Sequence, residues 1–277
     1  MTMEELWRTA GAAAWGAVGF DALGESMTAS DLARAEALCP SPAGVFAAAF
    51  PYYAGDAPGN LARYARGADY HDAVVRRLEW VCRGLEGRWP RHVFHPSADN
   101  SPVPERAAAL AAGLGVLGDN GLVLLEGWGS YVFLGTILTD LADYPWPDPA
   151  PLRRCLQCGA CAAACPGKAL GDGGVKVYRC LSHLTQKKGT LTGEETALLA
   201  AHPLVWGCDT CQQVCPYNRD LPLTPLPEFR EDLICTLTPG DVAGLTRKQF
   251  QARYPGRAFT WRGPGVLERN LAFKNRE

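Results

Sequence analysis

Residues 155–166 read CLQCGACAAACP, and residues 208–216 read CDTCQQVCP. The first run spaces Cys155, Cys158, Cys161 and Cys165 as C-x2-C-x2-C-x3-C before Pro166; the second spaces Cys208, Cys211 and Cys215 as C-x2-C-x3-C before Pro216. A cubane iron–sulfur cluster takes four thiolates, one per iron. Cysteines two residues apart wrap three corners of one cube, and a fourth, three residues on, points to a neighbouring cube. Two cubes need eight thiolates. A complete second repeat would put a cysteine at position 205, which is Val205, and Cys180 between the two runs is the natural substitute. The spacing therefore assigns Cys155, Cys158, Cys161 and Cys215 to one 4Fe–4S cluster and Cys165, Cys180, Cys208 and Cys211 to the other. Zinc prefers paired C-x2-C knuckles over a four-cysteine run ending in Cys-Pro, and disulfides call for an oxidising compartment.

Around these runs the chain has 277 residues, 47% hydrophobic and 20% charged, a length for one large domain or two modest ones. The start, MTMEELWRTAGAAAWGAVGF, carries acids and no basic leader, so no signal peptide is expected and the location is read as cytoplasmic. No apolar run is long enough to span a bilayer, so no membrane partner is expected. A net charge of −2 gives no global nucleic-acid footprint. The tail, 241–277, holds eight Lys or Arg against three acids, a local basic patch whose plainer reading is a solvated surface. Cys39, Cys82 and Cys235, outside the cluster set, read as small buried side chains.

Upstream, periodicity predicts a helix over 3–15, a strand or turn at 18–23, and a helix at 30–38 with Ser30 as N-cap. It predicts a buried strand over 44–53 and a helix from about Tyr70 to 89. Residues 91–102 read as strand then loop. Residues 103–121 read as a helix with Pro104 in its first turn, ending at Gly113 or Gly115. Strand-like runs at 122–126 and 130–139, joined by GWG, predict a hairpin. The proline-rich run DYPWPDPAP (143–151) reads as a linker. These signals give an α+β chain: an α/β domain over 1–145, a ferredoxin-like double-cluster domain over 146–225 that needs little apolar core because metal staples it, and a basic tail over 226–277 packed on the body.

Clusters of this type move single electrons, so two in series make a relay from an outside donor to an inner site, which places the acceptor in the first domain. That domain offers YARGADYH (64–71) and HPSADNSPVPER (95–106). Asp99 sits in a turn before a helix. It is either a proton donor for the reduction or a cap for the helix, and spacing alone does not choose. With no G-x-G-x-x-G and no Walker A, nucleotide cofactors have no support.

Taken in order, YARGADYH, ADNSPVPERAAALAAGLGVLGDNGLVL, GSYVFLGTILTDL, CLQCGACAAACPGKAL, YRCLSHLT, GCDTCQQVCPYN and LERNLAFKN resemble the epoxyqueuosine reductase family, cobalamin-dependent iron–sulfur enzymes of queuosine biosynthesis in tRNA. The resemblance implies a nitroreductase-like first domain holding cobalamin, Asp99 as proton donor, and Val123, Leu125, Leu134 and Ser182 near the corrin. It implies tRNA as substrate and an external electron donor such as a flavodoxin or ferredoxin, and a monomer is expected. Asp119 stands where the family's G-K-[NH] turn carries lysine. The chain is read as a short form without the family's helical-repeat extension. The other readings are a related reductase of another small substrate and a non-catalytic electron-transfer or corrinoid-handling protein.

Overall fold

The computed structural model describes residues 1–171 and 174–274. The chain divides into two compact units, the first of residues 1–51, 70–118 and 122–156, the second of residues 52–69, 119–121 and 157–277.

The first unit runs α1 (Met3–Thr9), β1 (Ala14–Gly19), α2 (Ala29–Leu38), β2 (Gly44–Pro51), α3 (Tyr70–Arg88), β3 (Phe94–Ser97), α4 (Glu105–Ala111), β4 (Val116–Leu117), β5 (Val123–Leu124) and β6 (Val132–Thr139). Its sheet has the order β1-β2-β6-β3, every pair antiparallel. Strand side chains alternate between faces. Val45, Ala47, Ala49 and Leu138 meet Ala108 and Ala109 of α4 in one core. On the other face α3 lies so close that a Cβ on Gly135 would come within 2.8 Å of both Leu78 and Val74. Trp7 of α1 packs on Phe46, ring centroids 6.4 Å apart, and stacks on Trp15 at 5.6 Å.

Three expectations change here. The first helix stops at Thr9, and Gly11 turns the chain at φ 82° so that Ala14 onward becomes strand rather than helix. Thr28, not Ser30, caps α2, in a reciprocal box with Asp31. The hairpin expected across GWG shrinks to one antiparallel bridge, Leu125 to Gly129, while β5 pairs with β4 and β6 joins the main sheet. Pro104 is the N-cap of α4 and Gly113, at φ 77°, follows its C-cap, as the sequence suggested. The proline-rich run is no free linker. Trp146 covers Gly44, where a Cβ would lie 2.4 Å from the indole, and Ala150 N–H donates to Ala111 O.

The second unit is built of short helices: α5 (Ala160–Ala164), the two-residue hairpin β7 (Leu170–Gly171) and β8 (Gly174–Val175), α6 (Leu181–Leu184), α7 (Gly193–Ala201), α8 (Thr210–Gln213), α9 (Pro227–Arg230), α10 (Pro239–Val242), α11 (Arg247–Arg253) and α12 (Pro264–Ala272). Trp206, Leu61, Phe250, Phe259 and Leu267 are fully buried together, a core drawn mostly from outside residues 146–225. Asn270 on α12 donates to Thr185 O and Val205 O at 2.7 and 2.8 Å, and Arg269 to Lys187 O. The LERN stretch therefore ties the C-terminal helix to the segments bearing the cysteines. The last residue quoted from it, Asn275, and the tail residues 276 and 277 lie outside the described residues. Most basic side chains of the tail serve the fold: Arg253 pairs with Asp241, Arg257 donates to Arg66 O and Asp232 O, and Lys274 to Leu199 O and His202 O. Among the described residues, no helix is long and apolar enough to cross a membrane.

Gly135→Val would force two methyl groups into Leu78 and Val74. The expected cost is about 1–3 kcal/mol, seen as a lower thermal midpoint for the variant; an unchanged midpoint would show that α3 can move off the sheet freely.

Candidate functional site

The second unit folds its cysteine run through backbone conformations that few residues take readily. Gln157, Gly159 and Lys168 all have left-handed φ, at 51°, 74° and 50°. Gly159 caps α5, which carries Cys161 and ends at Cys165. The Cys165 Sγ accepts the Ala169 N–H at 3.3 Å. Cys180 caps α6, and Cys211 lies within α8, with Cys208 just before it and Cys215 just beyond.

These short pieces converge. Burial pushes the Cys208 thiol up, and the neighbouring Cys180 adds to it. Cys211 is pushed up to about 12, first by burial and then by Cys208, Cys180 and Cys161; a hydrogen bond from Asn120 pulls the other way. Thiols that raise one another's pKa cannot all ionise in protein alone, and a metal cluster supplies the missing positive charge. The donor set thus suits a thiolate-ligated cluster, with Cys180 and Cys161 both acting on Cys211, and Cys180 on Cys208. Cys155 closes the first unit, its N–H on Leu117 O. None of the eight is in a disulfide. Outside the set, Cys39 and Cys82 are buried, as read from sequence, whereas Cys235 is part-exposed.

In the first unit, Tyr70 and His71 open α3, and Asp99 sits at φ 64° on the loop before α4. Its carboxylate lies 2.8 Å from His71 Nε2 and accepts from Tyr70 OH at 3.2 Å. The Tyr70 ring is fixed by stacking on Phe133, centroids 4.4 Å apart and 6° from parallel. The His71 hydrogen bond, chiefly, holds Asp99 below the usual carboxylate range. The backbone N–H of Asp99 donates to Glu105 Oε1 at 2.6 Å, so this loop is tied to the helix by Glu105 reaching back, and Asp99 is not the N-cap. Burial pushes the Glu105 carboxyl up to about 8, although part of the residue reaches solvent. The sequence did not single out Glu105; its place six residues after Asp99 in the first turn of a helix was the available signal. Asp99, Ser101 and Glu105 line a cavity of about 710 Å³ whose apolar wall includes Leu23, Val103 and Leu110. The volume lies in the range of small-molecule and cofactor sites. Its lining mixes apolar side chains with Asp99, Ser101, Glu105 and Arg106, and Val123, Leu125, Leu134 and Ser182 are not among the residues that line it.

The remaining sequence-derived positions are divided. Val123 and Leu125 are buried in the α4-side core, with Leu134 packed against it. Ser182 lies in α6 of the second unit, its carbonyl taken by Thr185 Oγ1 and Gln186 Nε2.

Residues 154–218 match the family model described as "4Fe-4S double cluster binding domain", and residues 33–99 match "Epoxyqueuosine reductase QueG, DUF1730". The epoxyqueuosine reductase of Lactococcus garvieae (strain Lg2) is 34% identical over 219 residues, covering 78% of this chain and 61% of the relative. That of Pseudomonas aeruginosa is 40% identical over 163 residues, 57% and 44% of the two chains. Among solved structures, an epoxyqueuosine reductase with an epoxyqueuosine-modified tRNA-Tyr stem loop gives a TM-score of 0.83 at 25% identity, covering 98% of this chain and 79% of that one. One from Bacillus subtilis, with its catalytic aspartate loop swung out of the active site, gives 0.81 at 26% identity, covering 98% and 80%. The chain spans 61% and 56% of the lengths of two of its curated relatives.

Glu105→Gln keeps an acceptor for the Asp99 amide and removes an ionisation. A carboxyl raised from 4.5 to about 8 on folding stabilises the fold fully below pH 4.5 and loses that contribution as pH rises through 8. The wild-type thermal midpoint should therefore fall more steeply than that of Glu105→Gln between roughly pH 5 and 9. Superimposable pH curves would mean that the Glu105 carboxyl is solvated.

Proposed function

We propose, for a chain that belongs to the epoxyqueuosine reductase family, that it reduces the epoxide of epoxyqueuosine in tRNA to queuosine. The observation that carries this reading is the Asp99 carboxylate held 2.8 Å from His71 on a cavity wall, in a chain that also has a double-cluster domain. Removing an epoxide oxygen as water consumes two electrons and two protons. The clusters accept electrons singly, with Cys155, Cys158, Cys161 and Cys215 holding one and Cys165, Cys180, Cys208 and Cys211 the other by their spacing. Cobalamin, when bound, would supply the cobalt centre that delivers electrons to the epoxide. Val123, Leu125, Leu134 and Ser182 are the positions assigned to its surroundings, on the family resemblance.

The chain's own residues do the proton work. Asp99 and His71 share a proton across their short hydrogen bond, and the pair presents it at the Asp99 carboxyl, on the cavity side. Tyr70 keeps the carboxylate oriented. The stacked Phe133 fixes Tyr70 in turn. Further parts of the proposal are a cytoplasmic location, where tRNA is modified, a monomeric state, and an external one-electron donor such as a flavodoxin or ferredoxin.

Asp99→Asn retains the size of the side chain and loses the acid. Turnover of epoxyqueuosine-containing tRNA should fall by about 10²–10⁴-fold with iron content unchanged. Wild-type turnover in this variant would remove Asp99 from the proton path. Cys180→Ala should bring iron from about eight per chain to about four; an undiminished iron content would reject Cys180 as a ligand.

A further inference from the structure

Residues 152–156, Leu-Arg-Arg-Cys-Leu, form a pinned and exposed strip of the first unit. Leu117 N–H donates to Arg153 O at 2.8 Å and Cys155 N–H to Leu117 O at 3.0 Å, a parallel bridge centred on Arg154. The backbone is thus fixed, while Arg153, Arg154 and Leu156 stay exposed; Leu152 also lines the cavity beside Asp99. Leu152 is 56% exposed and Leu156 71% exposed, the latter among the most exposed large apolar side chains of the described residues. In an extended run alternate residues share a face, which places Leu152, Arg154 and Leu156 on one side and Arg153 with Cys155 on the other. Arg153 and Arg154 are both exposed, and among the described residues neither side chain has an ion pair or hydrogen bond. From 149 to 167 the chain contains these two arginines and no acid.

We propose that this strip is the docking surface for an acidic one-electron carrier protein that reduces the cluster bound at Cys155. The inference rests on the cluster reading and not on the choice of substrate. Cys155 lies between Arg154 and Leu156 in the chain, so a carrier on this strip sits on the backbone that bears a cluster ligand. Unpaired cations steer an acidic partner and set its orientation. Two exposed leucines on a rigid backbone supply the apolar centre that a small, transient electron-transfer interface needs. A small-molecule reductant would have no use for either feature. In the transfer, a carrier's flavin hydroquinone loses one electron to become the semiquinone, and one iron equivalent of the cluster goes from ferric to ferrous; no bond is made or broken.

The test uses the full chain with both clusters, anaerobically, without tRNA. Hydroquinone flavodoxin is mixed with it, and the loss of visible cluster absorbance is followed against salt. The same reaction is run with photoreduced deazaflavin, a small neutral reductant, and flavodoxin affinity is measured by calorimetry. The double variant Arg153→Glu, Arg154→Glu should slow reduction by flavodoxin at low salt by about tenfold or more. It should also weaken binding and flatten the salt dependence, while the deazaflavin rate stays at the wild-type value. Arg153→Lys, Arg154→Lys should behave as wild type, and Leu156→Asn should weaken binding while keeping the salt slope. Flavodoxin rates and affinity unaffected by charge reversal would overturn the proposal. So would equal slowing with both reductants, which would mark damage to the cluster instead of lost docking. A chain that fails on epoxyqueuosine but shows the predicted flavodoxin dependence would sink the substrate reading alone.

Discussion

Like charge gathered in a desolvated place is the constraint on which the second unit depends. Cys161, Cys180 and the Cys208–Cys211 pair come from three stretches of chain, and the thiols of Cys208 and Cys211 are raised by burial and by their neighbours. The Asn120 hydrogen bond favours the Cys211 thiolate and Thr210 favours that of Cys208. Iron provides the charge, so the geometry of these segments and the binding of metal are one equilibrium. The apolar core around Trp206, Phe250 and Phe259 does a different task. It holds α12 where Asn270 can satisfy two buried carbonyls behind the cysteine segments. Leaving those carbonyls unmet would cost about 1–3 kcal/mol each.

The cysteine framework was legible in the sequence because ligand spacing is local: C-x2-C fixes which thiols can share a cube whatever surrounds them. Helix α3 was legible for the same reason, as its apolar period is written within nineteen consecutive residues. Pairing partners were not. The runs at 122–126 and 130–139 both look like strands, but alternation says nothing of the neighbour, and Val123–Leu124 goes to β4 while β6 enters the main sheet. The acid at 99 was visible, but the sequence left donor and cap equally open. The direction of the Glu105 hydrogen bond removes the cap, and His71, 28 residues away, is the partner that the sequence did not show. Asn120, beside the departure at Asp119, gave no signal that it touches Cys211.

The two carboxyls at residues 99 and 105 explain how this corner can handle a proton. Their environments drive them apart: hydrogen bonds from His71 and Tyr70 keep Asp99 ionised, and burial keeps Glu105 neutral near pH 7. Had both ionised, the Asp99 charge would repel Glu105 across a single residue's backbone. Because Glu105 stays neutral, its Oε1 can take the Asp99 amide without placing a second negative charge in the cavity wall. That hydrogen bond also offsets the left-handed backbone at Asp99, a conformation costing a non-glycine residue about 1–2 kcal/mol. An acid held below the usual carboxylate range is a poor donor by itself. Under the proposed function its proton would come by way of the imidazole 2.8 Å away. The sheet, through Phe133 under Tyr70, sets where that proton is presented.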